Sequence, residues 1–299
     1  MSTATVFDRY LERVTAGERL SPGEVRELAA HPDILTLGML ADAARRRRHG
    51  DRATFLRVGV VSWDGVFVDA LRPAARELRL SGAPSSLDEA VEAVTRARTA
   101  AGDRTLAAYA WPDIVRLARS APERAALLGR LRAAGLDAVA EVPLDAAEGL
   151  ADAVAALAEA GLAPVRLTVA AASGPEVVEL LLEASAVQEA TRAVVSIDPL
   201  PRTRGVYRPT TGYDDVKVVA VARLAAPEVP TIQVDWRRYG PKLAQVALTF
   251  GADDLDGVSA SDEAPEGQRR AALPEIRRNI EAAGFEPVER DGRFAAVVA

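Results

Sequence analysis

A (β/α) barrel of the TIM type, preceded by N-terminal helices, is the fold this sequence predicts. Short apolar runs alternate with helical stretches of about 10–15 residues, the pattern of parallel strands joined by crossover helices. About seven or eight such units follow one another, the number that closes a barrel. The chain has 299 residues, of which 49% are apolar and 27% charged, enough for one large α/β domain or two smaller ones around a buried core. The barrel is either complete or lacks one β/α unit, and a doubly wound sheet satisfies the same periodicity. Residues 1–52 read as a helical segment packed on the barrel, and 53–299 as the barrel with a C-terminal extension.

The elements follow in order. Val6–Ala16 has helical apolar spacing. Ser21-Pro22-Gly23-Glu24 is an N-cap with Pro at the first helical position and Glu at the third. Leu35–Arg48 continues as a helix and stops at His49-Gly50, where Gly suits a left-handed cap. Thr54–Ser62 is the first strand. Leu71–Leu80 and Leu87–Ala101 read as helices separated by the turn at Ser81–Ser85. Leu106–Ala110 is a strand, Ile114–Ala134 mostly helix, Ala138–Val142 a strand and Ala146–Ala160 a helix. Val165–Ala170 and Ala193–Ile197 are strands flanking the helix Pro175–Glu189. A loop at Asp198–Gly212 leads into the helix Tyr213–Leu224, the strand Thr231–Asp235 and the helix Pro241–Thr249. Leu255–Val258 is a last strand, Leu273–Ala283 a helix and Pro287–Phe294 a hairpin-like tail.

Composition excludes several function classes. Lys and Arg number 37 against 43 Asp and Glu, a net charge of −6, which argues against nucleic acid as a partner. No apolar run reaches the ~18–20 residues that span a bilayer, so no membrane partner is expected. The N-terminus lacks a basic segment followed by an apolar one, and a cytoplasmic location is expected. Cysteine is absent, which removes disulfides, thiolate metal sites and cysteine nucleophiles together. The 2 histidines, His31 and His49, both fall in the N-terminal helices, so neither a zinc site nor a Ser-His-Asp triad is expected. The sequence holds no nucleotide-binding glycine loop, nucleophile elbow or HExxH.

In a barrel the pocket lies at the C-terminal ends of the strands. Trp63 and Asp64, Trp111 and Asp113, Glu141 and Asp145, Ser173 and Asp198 fall there. Arg202, Arg204 and Arg208 follow on a loop, and Asp235 and Trp236 close the next strand. Glu141, Asp145 and Asp198 are the candidate catalytic bases. Trp63, Trp111, Asp113, Arg202, Arg208 and Trp236 are the candidate ligand contacts, with Arg clamping the carboxylate of a small anionic aromatic molecule. In the competing reading the tryptophans fill volume and the arginines are solvated or paired. The Arg45–Arg48 run reads as a cationic last helical turn facing solvent.

One family resemblance emerges from the two ends of the chain. Ala220-Val221-Ala222-Arg223-Leu224, Ile232-Gln233, Trp236, Gly240 and Lys242-Leu243-Ala244-Gln245 precede Gly251-Ala252-Asp253-Asp254-Leu255-Asp256-Gly257. Glu281-Ala282-Ala283-Gly284-Phe285 extends the pattern, and Leu37-Gly38-Met39-Leu40-Ala41-Asp42 carries it at the N-terminus. These motifs resemble aminofutalosine synthase and its relatives, radical S-adenosylmethionine (SAM) enzymes of the futalosine route to menaquinone and of deazaflavin biosynthesis. The resemblance implies a [4Fe–4S] cluster on three cysteines, and this chain has none. Two further family stretches are altered. A Gly-Gly-Gly-Ala-Glu segment falls on Glu141–Asp145, and a Gly-His-x-Glu-Thr segment on Val169–Ser173. The family's second strand has no counterpart in this reading. Asp253–Gly257 becomes, by the resemblance, a turn whose carboxylates cap backbone N–H groups. Neither cluster nor SAM is therefore expected as a cofactor, nor any other metal. The resemblance implies a non-catalytic relative that serves as partner or regulatory subunit to a protein of the menaquinone pathway. The alternative is a repurposed lyase or dehydratase that binds a chorismate-like aromatic carboxylate at the barrel mouth.

Overall fold

The computed structural model describes residues 3–63, 74–147, 149–203, 210–261 and 272–297. Three helices open the chain, α1 (Thr3–Ala16), α2 (Pro22–Ala30) and α3 (Ile34–His49). The first half of the barrel is β1 (Arg52–Ser62), β2 (Glu77–Ser81), α4 (Leu87–Ala101), β3 (Thr105–Ala110), α5 (Trp111–Leu117), α6 (Ala121–Ala133), β4 (Ala138–Pro143) and α7 (Leu150–Glu159). The second half is β5 (Val165–Val169), α8 (Pro175–Thr191), β6 (Val194–Pro201), α9 (Gly212–Ala225), β7 (Thr231–Asp235), α10 (Trp236–Leu248) and β8 (Asp254–Ser259). Helix α11 (Leu273–Ala282) and strand β9 (Glu286–Glu289) close the chain.

Strands β2 to β8 pair in sequence order, β8 pairs with β1, and β1 pairs with β2, so a ring of parallel strands closes. No strand of the ring is missing; most of the β1–β2 connection lies outside the described residues. The unplaced strand is β2, where a helix over Leu71–Leu80 was expected. Glu77-Leu78-Arg79-Leu80 alternates with period two, and the barrel turns the charged face inward, so its charges looked like the polar side of a helix. The part of that expectation at residues 71–73 lies outside the described residues.

Local signals set the other boundaries. Ser21 and Glu24 form a reciprocal capping box at the start of α2. Ser120 and Glu123 form another, which splits the expected Ile114–Ala134 helix into α5 and α6. Gly50, with φ of 60°, ends α3. Gly240, at φ 79° and followed by Pro241, kinks α10 after its first turn. The N-terminal helices pack on the barrel's outer layer, with α3 against α9 and α2 against α8 and α9. Arg45, read from the sequence as solvated, is fully buried. Its guanidinium donates to the carbonyls of Ala252 (3.0 Å), Gly50 (2.9 Å) and Arg52 (2.5 Å), which staples α3 to the barrel.

The C-terminal tail is not a free hairpin. Strand β9 pairs in parallel with the first residues of β1, whose last residues pair with β2. Arg290 and Ala296 form a single antiparallel bridge beyond it. The tail then lies under the N-terminal ends of the strands. Gly292 approaches so closely that an added Cβ would sit 2.4 Å from Glu77 Oε2 and 2.6 Å from Thr105 Cβ.

Above the tail, the barrel interior is crossed by ion pairs. Arg166 on β5 reaches Glu77 on β2 with Nη1–Oε1 at 2.8 Å and Nη2–Oε2 at 2.5 Å. Those strands stand three places apart in the ring of eight, so the contact reaches across the lumen. Arg79 on β2 grips Asp256 on β8 at 2.8 and 2.7 Å. Arg290 grips Asp254 at 2.6 and 2.7 Å. Three guanidiniums thus meet three carboxylates. Against the cost of burial, Arg79 and then Arg290 hold the Asp256 carboxyl far below the usual carboxylate range. Arg166 and Arg79 likewise lower the Glu77 carboxyl against the cost of its burial.

Removing one partner from such a set strands buried charge. Glu77→Leu leaves Arg166 and Arg79 short of a counter-charge and is expected to cost about 3–5 kcal/mol in urea unfolding. Arg130→Ala, which breaks only the exposed Arg130–Asp88 pair, is expected to leave the midpoint unchanged. Gly292→Ala is expected to destabilise as well, since its Cβ collides with Glu77.

Candidate functional site

The strand ends at the upper, C-terminal face bring a second charged group together. Asp198 on β6 points inward, as does Asp235 at the end of β7, and Glu141 lies on β4. Arg202, just past β6, sits among all three. Its Nε lies 3.0 Å from Glu141 Oε2, and its Nη1 lies 2.7 Å from Asp198 Oδ2 and 3.4 Å from Asp235 Oδ2. Arg238 adds a weaker contact to Asp235 at 3.7 Å and donates to the Arg202 carbonyl. Three carboxylates therefore face two guanidiniums. Asp198 is 1% exposed, and burial pushes its carboxyl up to about 7, with Arg202 opposing and Asp235 adding to the rise.

The remaining sequence candidates are engaged elsewhere on the rim. Asp145 accepts the backbone N–H groups of Ala170 (2.6 Å), Ala171 (2.7 Å) and Ala172 (2.7 Å), which pins the β5–α8 loop. Despite partial burial, those donors hold its carboxyl below the ordinary value. Asp113 accepts from the Ala110 N–H at 3.1 Å and sits 3.6 Å from Arg116. Trp111 is buried at the first turn of α5. Trp63 is half-buried against Gly82, and its carbonyl accepts from Arg96 at 3.2 Å. Trp236 is buried at the first turn of α10, and its indole N–H has no partner among the described residues. Asp64, Arg204 and Arg208 lie outside the described residues.

Sequence reasoning missed the charges within the strands. Asp253, Asp254 and Asp256 were expected in a turn; Asp254 and Asp256 instead belong to β8 and pair with Arg290 and Arg79. Only Asp253 takes a backbone N–H, that of Ile232 at 2.8 Å, while also pairing with Arg223. The available signal was spacing: Glu77/Arg79, Gln233/Asp235 and Asp254/Asp256 each put polar groups two apart in an otherwise apolar run.

Comparison with known proteins adds the relationship. Residues 196–297 match the family described as the CofH/MqnC C-terminal region. A 5-amino-6-(D-ribitylamino)uracil–L-tyrosine 4-hydroxyphenyl transferase from Archaeoglobus fulgidus is 36% identical over 124 residues, 37% of this chain and 36% of the relative. An aminodeoxyfutalosine synthase from Thermus thermophilus is 38% identical over 106 residues, 33% of this chain and 28% of the relative. These matches span about a third of the relatives' length. The barrel is similar to the FeFe-hydrogenase maturase HydG from Carboxydothermus hydrogenoformans, with a TM-score of 0.72 over 98% of this chain and 82% of that one at 13% identity. It is also similar to methylornithine synthase PylB, with a TM-score of 0.66 over 93% and 97% at 14% identity. Those identities speak for fold alone. Residues 196–297, from within β6 into the tail, are thus similar to the CofH/MqnC C-terminal region family, and part of the chain is similar to an aminodeoxyfutalosine synthase.

Proposed function

We propose that the chain is a non-catalytic relative of aminodeoxyfutalosine synthase that acts as a partner or regulatory subunit in the futalosine route to menaquinone. The lumen of the barrel carries this reading. Barrel enzymes work at the C-terminal mouth, and here Arg202 engages the carboxylates of that mouth while ion pairs fill the interior below it. The donor set does not fit an iron–sulfur cluster, which takes thiolates, because the sequence holds 0 cysteines and the mouth offers carboxylates and guanidiniums.

A second reading has one observation in its favour. A carboxyl near neutrality suits a general base, and Asp198 is pushed up to about 7. A lyase or dehydratase acting on an aromatic carboxylate would use it. Against this, Asp198 is buried and Arg202, the intended clamp, already faces three carboxylates.

Affinity capture of the intact chain from cells that make menaquinone by this route is expected to retain a cysteine-bearing enzyme of the pathway. Deletion of the gene is expected to lower menaquinone. If no pathway enzyme is retained and menaquinone is unchanged, the proposal fails. Turnover of an aromatic carboxylate by the purified chain would support the second reading instead.

A structural role for the mouth cluster also has a pH signature. The folded carboxyl of Asp198 titrates near 7 against an ordinary value of 3.8. Between those values the folded protein keeps a proton that the unfolded chain has released. Its contribution is full at low pH, falls by about 1.4 kcal/mol per pH unit as pH rises, and levels off above the folded value. Asp198→Asn removes this slope. The variant's stability relative to the parent is expected to rise between about pH 4.5 and 7 and then to flatten. Urea melts across that range check it, and parallel curves would mean that Arg202 keeps Asp198 ionised throughout.

A further inference from the structure

A cavity lies beside the barrel, on its helical layer. Helices α8 and α9, the end of β6 and residues of α2 line this half-open cavity of about 460 Å³. That is within the roughly 300–1,000 Å³ of small-molecule sites. Its walls are apolar, with Val177 and Leu181 from α8, Val218 and Val221 from α9, and Leu200 from β6. A cavity of this size with an aliphatic lining is a site for an apolar body rather than for a hydrated ion.

Thr210 and Lys217 on the wall retain hydrogen-bonding capacity. The hydroxyl oxygen of Thr210 is buried against the cavity and has no hydrogen-bond partner among the described residues. A hydroxyl withdrawn from water without a partner is costly, and a ligand polar atom would relieve that cost. The ammonium of Lys217 lines the same cavity and makes one described bond, to the His31 carbonyl at 2.9 Å. An ammonium carries three donors, so two remain for a ligand. Two neighbouring charged groups are engaged in part. Arg26 holds Glu179 with both prongs at 2.7 Å, and Asp214 accepts the backbone N–H and hydroxyl of Thr211. Lys217 is thus a cation with donors to spare on this wall, beside Arg26, whose Nη1 makes no described bond, and the buried carboxylate of Asp215.

We propose that this lateral cavity binds a small apolar molecule ending in a carboxylate, with the apolar body between α8 and α9, the carboxylate on Lys217 and a hydrogen bond from Thr210. The site is separate from the Asp198–Arg202 cluster. Pro199, Leu200 and Pro201 of β6 line the cavity, whereas Asp198 of the same strand faces the lumen. The proposal therefore does not depend on whether the mouth is catalytic or whether the chain has a protein partner.

Calorimetric titration of the full chain with decanoate, decanol and biphenyl-4-carboxylate tests it. Decanoate or biphenyl-4-carboxylate is expected to bind, and whichever is tighter tells an aliphatic from an aromatic ligand. Decanol is expected to bind at least about tenfold more weakly than decanoate, the scale of one charge-assisted hydrogen bond. Lys217→Met is expected to erase that preference. Because Lys217 also holds α2, Val218→Phe serves as the second variant. It fills the cavity from a half-buried position and is expected to abolish binding with an unchanged thermal melt. Absence of binding by both acids, equal binding of acid and alcohol, or full binding by Val218→Phe would each overturn the proposal.

Discussion

The bond between Arg166 and Glu77 ties together strands that the ring of hydrogen bonds keeps apart. Backbone ladders join neighbouring strands only. A lumen-spanning ion pair fixes the cross-section of the barrel as well. Its value depends on company, since a buried charge pair recovers its desolvation cost only when its remaining donors and acceptors are also met. Here Glu77 takes Arg79 in addition, and Arg166 donates onward to the Gly292 carbonyl at 2.8 Å, while the Arg166 Nε–H has no partner among the described residues. The tail beneath the barrel is thus part of the same network. Phe294 completes it, with the Arg290 guanidinium 3.9 Å from its ring centre.

This arrangement explains why the two ends of the chain are inseparable from its middle. The region related to the CofH/MqnC C-terminal family supplies Asp254, Asp256 and Arg290. The part outside that match supplies Glu77, Arg79 and Arg166. Neither set is neutral alone, with two carboxylates to one guanidinium in the first and one to two in the second. Together they balance. The upper cluster lacks that balance, and its excess of negative charge adds to burial in raising Asp198.

The layer order of the fold was readable in the sequence because parallel barrel strands and their helices announce themselves by period. Helix α4 spans Leu87–Ala101 and β7 spans Thr231–Asp235, the ranges that periodicity and turn residues predict. Strand β2 was not readable for a physical reason. Strands buried on both faces are normally continuous apolar runs, and one with a charged lumen face breaks that rule. The same cause hid Asp254 and Asp256. Of the mouth residues, Glu141, Asp198 and Arg202 were legible as polar groups at strand ends, but their mutual engagement was not, because spacing along the chain says nothing about which carboxylates one guanidinium can reach. Asp145 shows the converse: its position suggested a catalytic base, while its oxygens serve three backbone donors.

The lateral cavity lies on the helical layer, apart from the ion pairs of the lumen. The N-terminal helices matter in this light. Arg45 staples α3 to the carbonyls at the foot of the barrel, and Lys217 on α9 holds the carbonyl that ends α2. Helix α2 is thereby fixed beside α8 and α9, and its Arg26, Ala29 and Ala30 form one wall of the cavity. The added helices that would be dispensable for closing a barrel are what give this one a lateral cavity.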